Sequence, residues 1–203
     1  MREATRSGAD THPEQAQRAK DPALVVIDLQ KGIVARDTKP HAAADVVRRS
    51  AQLADAFRKS KLPVVLVHVM YATDRSDALR QPVDSPNPAT QLPREWSDFV
   101  PEIGPRDGDI LITKRQWGAF YGTELDLQLR RRGVKTIVLC GISTNFGVES
   151  TARDAWERSY EILFAEDAMS ALDADSHQFA ITKIFPRIGR VRSAADILRT
   201  LPK

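Results

Sequence analysis

From residue 23 onward, short continuous apolar runs alternate with stretches whose apolar positions recur at helical spacing. The run 23–27 (ALVVI) contains no polar position and stops at Asp28, the pattern of a strand buried on both faces. Positions Val46, Val47, Leu53, Ala54 and Phe57 then predict a helix over 43–60, which Pro63 ends before a second strand over 64–69. Further strands are predicted over 110–113, 136–140, 161–165 and 188–191. Helices are predicted over 123–132, with Gly133 as its stop, over 145–159 and 174–184, and after Ser193 as N-cap. Strands this apolar, joined by helices, predict a three-layer α/β/α domain with a mostly parallel six-stranded sheet. Residues 71–108 interrupt the alternation. They hold six of the twelve prolines, together with Trp96 and Phe99, and predict a packed cover over a site or a subunit contact. The first twenty residues have no period and predict a disordered arm, leaving 21–203 as one domain.

Composition narrows the classes of function. With 30 Lys+Arg against 27 Asp+Glu, the net charge of +3 gives no polybasic face, which argues against nucleic acid as a partner. No apolar run reaches the length of about 20 residues that crosses a bilayer, and no secretory leader is visible, so a cytoplasmic location is expected. The lone Cys140 excludes an internal disulfide. The four histidines (His12, His41, His68 and His177) show no metal-ligand spacing, so no metal is expected.

In a parallel sheet, ligands bind beyond the carboxyl ends of the strands. There stand Asp28, His68, Lys114 and the segment 141–152 (GISTNFGVESTA). Asp28 and Lys114 both end apolar strands, where an unpaired charge is costly, so they are expected to face each other as a structural or a catalytic pair. Gly141 permits a sharp turn, Thr144 or Asn145 can cap the next helix, and Gly147 lets a ligand approach the backbone. Trp117, Phe120 and Tyr121 can wall a planar substrate or pack the core. His68 is expected to be a hydrogen-bonded strand-end histidine.

Three segments together, VVIDLQ (25–30), Lys114 followed by WGAFYGT (117–123), and GISTNFGV (141–148) followed by STARDA (150–155), resemble the motifs of the isochorismatase-like hydrolases in order and spacing. The resemblance runs from about residue 22 to the C-terminus and implies a Rossmann-like α/β hydrolase, a cis Ile142–Ser143 peptide and a homo-oligomer. The family's amidase branch uses an Asp–Lys–Cys triad, and the position of its nucleophilic cysteine is held here by Gly147. Cys140 lies seven residues earlier in an apolar strand and is expected to be inert. The isochorismatases proper resemble this chain in carrying glycine there, and they hydrolyse a vinyl ether without a covalent intermediate. On that resemblance, Asp28 is the proton donor and Lys114 its electrostatic partner. Gly147, Ser143, Thr144, Trp117, Phe120 and Phe146 bind a small carboxylate-bearing substrate, with no cofactor. Ser143-Thr144 is closer to the amidase branch. The open alternatives are amide or carbamoyl hydrolysis by water activated at Asp28, and a silent small-molecule-binding homologue.

Overall fold

A computed structural model describes residues 22–86 and 92–202. The expected N-terminal arm lies outside the described residues. Six strands, β1 (Ala23–Ile27), β2 (Val64–Val69), β3 (Ile110–Lys114), β4 (Thr136–Ile142), β5 (Glu161–Ser170) and β6 (Arg190–Arg192), form one sheet in the order β3-β2-β1-β4-β5-β6. Every pairing is parallel. The helices are α1 (Lys31–Val34), α2 (Ala43–Lys59), α3 (Leu125–Arg131), α4 (Glu149–Glu157), α5 (Ala174–Phe179), α6 (Phe185–Ile188) and α7 (Ala194–Thr200). Among the described residues no helix is long and apolar enough to cross a membrane.

The continuous apolar runs follow from burial on both sides of the sheet. Along β1, Leu24 and Val26 join one core with Leu53 and Phe57 of α2 and Ile197 of α7. Val25 and Ile27 join the other, with Leu125 and Leu129 of α3, Ala152 and Ala155 of α4, and Phe185 of α6. A period of two thus sorts one strand's side chains into two cores. Ser193 caps α7 in a reciprocal capping box with Asp196.

Several boundaries differ from those predicted. β4 and β5 run on to Ile142 and Ser170, and their register shifts between Leu139 and Gly141. The stretch predicted as a helix over 145–159 opens as a π-turn, Thr144–Val148, before α4, and that predicted over 174–184 becomes α5 plus a second π-turn, Ala180–Ile184. Hydrophobic spacing is nearly the same for α and π turns, so the pattern does not separate them. The last strand is Arg190–Arg192 rather than 188–191, because Ile188 still belongs to α6.

Strand order reverses between β1 and β4, which opens a crevice at their carboxyl ends. Gly141 makes the close approach there possible. Its φ is +120°, and a Cβ on it would lie 2.0 Å from the Ile27 carbonyl oxygen. Gly141→Ala is therefore expected to lower the unfolding free energy by about 3 kcal/mol or more, combining backbone strain with overpacking. A urea midpoint equal to wild type would contradict this.

Candidate active site

The chain leaves β1 at Asp28 with φ +55°, which turns the carboxylate across the top of the sheet. Lys114, the last residue of β3, reaches over β2 to meet it. Nζ lies 2.8 Å from Asp28 Oδ2 and also donates to the Trp117 carbonyl. Both residues are buried, Asp28 to 5% exposure and Lys114 to 1%. The other carboxylate oxygen, Oδ1, is buried and has no hydrogen-bond partner among the described residues. Burial pushes the Asp28 carboxyl above its ordinary range, with Lys114 pulling the other way, and the net direction is upward.

The π-turn after β4 closes the site from the other side of the crevice. The Phe146 and Val148 N–H groups both donate to the Ser143 carbonyl at 3.2 Å. This wider turn brings Gly147 against the pair: a Cβ there would stand 2.9 Å from Asp28 Oδ2 and 3.1 Å from Lys114 Nζ. Thr151 secures the arrangement, donating to the Gly147 carbonyl at 2.6 Å and accepting from the Ala119 N–H at 3.1 Å. The Ile142–Ser143 peptide is cis.

Of the other residues expected at the site, Ser143 donates to Asn145 Oδ1 at 2.9 Å, and the buried Thr144 hydroxyl lies 2.9 Å from His177 Nδ1. Trp117 is 61% exposed and packs on Phe146 with ring centroids 4.7 Å apart. Phe120 is not brought to this surface. It is 4% exposed and packs in the core beside Tyr160, because the loop after β3 turns Ala119 and Phe120 inward together and leaves Trp117 and Tyr121 at the surface. His68 is hydrogen-bonded at both nitrogens, to the Ser97 carbonyl and Thr113 Oγ1 at 2.8 Å each, and stacks on Phe99.

Sequence reasoning missed Gln30 as a positioning residue. Fully buried just beyond β1, its amide donates to the Val69 and Trp96 carbonyls, and its oxygen accepts from the Val69 N–H. Those bonds tie the segment around Trp96 to the carboxyl ends of β1 and β2, so part of the proline-rich connection is packed on the chain's own sheet. The available signal was a single amide at a position that should be apolar. A cavity of about 670 Å³ opens at the carboxyl end of β2, lined among others by Tyr71, Arg75, Arg94 and Trp96.

A doubly wound parallel sheet carrying a buried carboxylate–ammonium pair and a glycine-bearing turn at its switch point is the frame of a small-molecule α/β enzyme. The chain belongs to the isochorismatase family, whose domain model ("Isochorismatase domain") matches residues 22–196, and it is a hydrolase of that family. It is 57% identical over 183 residues to the "Uncharacterized isochorismatase family protein YecD" of Escherichia coli O157:H7, covering 90% of this chain and 97% of that one. An isochorismatase family protein from Burkholderia thailandensis superposes with a TM-score of 0.87 at 50% identity, over 89% and 95% of the two chains. N-carbamoylsarcosine amidase from Thermoplasma acidophilum does so with a TM-score of 0.68 at 30% identity, over 86% and 97%.

Cys140 is fully buried in β4, and burial pushes its thiol up to about 12. Since the thiolate is the reactive form, native protein at pH 8 should resist iodoacetamide, and unfolded protein should react at the ordinary thiol rate. Rapid alkylation of the folded chain, followed by mass spectrometry, would contradict the placement.

Proposed function

We propose that the chain hydrolyses a vinyl ether of a small carboxylate-bearing molecule, with Asp28 as proton donor and no covalent enzyme intermediate. The observation that carries this reading is the bare backbone at Gly147, pressed against a buried Asp28 whose Oδ1 is unpartnered and whose carboxyl is pushed upward. Lys114 occupies Oδ2, which leaves Oδ1 to hold the proton. That proton passes to the terminal vinyl carbon as the C=C electron pair forms the new C–H bond. Water then adds to the oxocarbenium carbon and returns a proton to Asp28. The resulting hemiketal breaks its C–O bond to give a carbonyl compound and an alcohol. Trp117 with Phe146 suits an unsaturated ring on the substrate.

A second reading, amide or carbamoyl hydrolysis by water that Asp28 activates as a base, is favoured by the likeness to a protein named as an N-carbamoylsarcosine amidase. The two differ in the sign of their pH dependence. A proton donor works below its raised pKa and loses activity as pH rises through it, whereas a base loses activity as pH falls through it. Assayed on isochorismate beside a panel of primary amides and carbamoyl compounds, the protein should turn over isochorismate, with the descending limb on the alkaline side. Asp28→Asn should cost about 10²–10⁴-fold in kcat. Gly147→Ala, which forces a Cβ against both Asp28 and Lys114, should cost about 10-fold or more. Amide turnover with none on isochorismate would overturn the vinyl-ether reading.

We infer further that the protein is a cytoplasmic homo-oligomer whose hydrolysis needs no cofactor. Tyr121, Trp156 and Phe179, all more than half exposed, support assembly. Light scattering should give a mass above the 22.6 kDa of one chain, and a monomer at micromolar concentration would contradict it.

A further inference from the structure

Behind the catalytic turn, three elements distant in sequence converge on one carboxylate oxygen. His41, just before α2, places Nε2 3.1 Å from Glu166 Oε1, and His177 in α5 places Nε2 3.3 Å from the same atom. We propose that His41, Glu166 and His177 bind a divalent first-row transition-metal cation, of which zinc is the type. The inference stands apart from the reaction assigned to Asp28.

Two imidazoles and a carboxylate are the N,N,O set of three-ligand zinc sites and of open first-row sites with one carboxylate and two histidines. The spacing agrees. Both contacts are longer than the 2.7–2.9 Å of a good charge-assisted hydrogen bond, so one oxygen serves two N–H donors poorly. They match the edge of a tetrahedron whose metal–ligand bonds are near 2.0–2.1 Å, which is about 3.3 Å.

The three groups are also held in advance. His177 is 1% exposed at its side chain, and its second nitrogen lies 2.9 Å from Thr144 Oγ1, the outer hydrogen bond that fixes a ligating imidazole. The backbone of His41 is tied to β5 at both polar atoms, its N–H donating to Ser170 Oγ at 3.2 Å and its carbonyl accepting from Ser170 Oγ at 2.8 Å. Glu166 sits on β5 itself, and its Oε1 faces both imidazoles. The side chains of Glu166 and His41 are 33% and 25% exposed, which gives an ion a way in and leaves a fourth position for water.

With a metal on both Nε2 atoms, each imidazole carries its proton on Nδ1, and at His177 that proton donates to Thr144 Oγ1. Metal occupancy is thereby linked to the direction of the hydrogen bond made by Thr144, the first residue of the catalytic π-turn.

The test uses the full chain, stripped with a chelator and then titrated with Co²⁺ and with Zn²⁺. Calorimetry should give one ion per chain, Co²⁺ should show the absorption of a four- or five-coordinate N/O site, and Tm should rise with saturation. His41→Gln and Glu166→Gln should each weaken binding by more than the about 10–100-fold that loss of an outer hydrogen-bond partner costs. Imidazole nitrogen spectra of the unaltered protein need no variant: Zn²⁺ should move the His41 and His177 resonances and leave His68 in place. Absence of stoichiometric binding, wild-type affinity in both variants, or shifts confined to His12 or His68 would overturn the proposal and leave the cluster a hydrogen-bonded brace.

Discussion

A carboxylate and an ammonium 2.8 Å apart, both buried at the carboxyl edge of a parallel sheet, set the terms for everything around them. Neither charge is tolerable there alone, and loss of one partner from such a pair costs about 3–5 kcal/mol because the other stays buried and uncompensated. The two residues come from strands that do not touch, β1 and β3, so the pair fixes their carboxyl ends across β2. The apolar residues of β1 and β4 lie below the pair and the turn bearing Gly147 lies above it. The result is a carboxyl group with one oxygen engaged and one idle.

That arrangement is inherited from topology as much as from side chains. The reversal of strand order between β1 and β4 leaves a crevice at the point where Asp28 exits, and the positive φ of Gly141 lets β4 press its backbone onto Ile27. The π-turn that follows carries Gly147 to within van der Waals range of both members of the pair. A side chain at 147 would have to displace one of them. The same turn begins with Thr144, whose hydroxyl reaches back to His177, so the floor of the site and the His41–Glu166–His177 cluster share one residue.

Much of this was legible in the sequence where one physical rule dominates. β1 and β2 match their predicted ranges because runs without a polar residue have one stable home, the middle of a covered sheet. Asp28 and Lys114 stood out because ionisable groups at the ends of such runs must find each other. Spacing could not show the π-turns, since they keep a helical pattern of burial. Nor could it show Gln30, whose three hydrogen bonds are to groups far along the chain, or the inward turn of Phe120, which depends on how the loop after β3 packs. Glu166 and His177 are eleven residues apart and His41 lies over a hundred away, so no local motif announced their meeting.

The central claim is that burial outweighs the lysine at Asp28 and raises its carboxyl above the ordinary carboxylate range. Carboxyl-carbon NMR of protein labelled at aspartate, with Asp28→Asn to assign the signal, measures this directly. The account predicts that the Asp28 resonance titrates above the ordinary value of 3.8. Titration at or below that value would mean that Lys114 holds the carboxylate ionised, and would contradict the account of Asp28 as a proton donor.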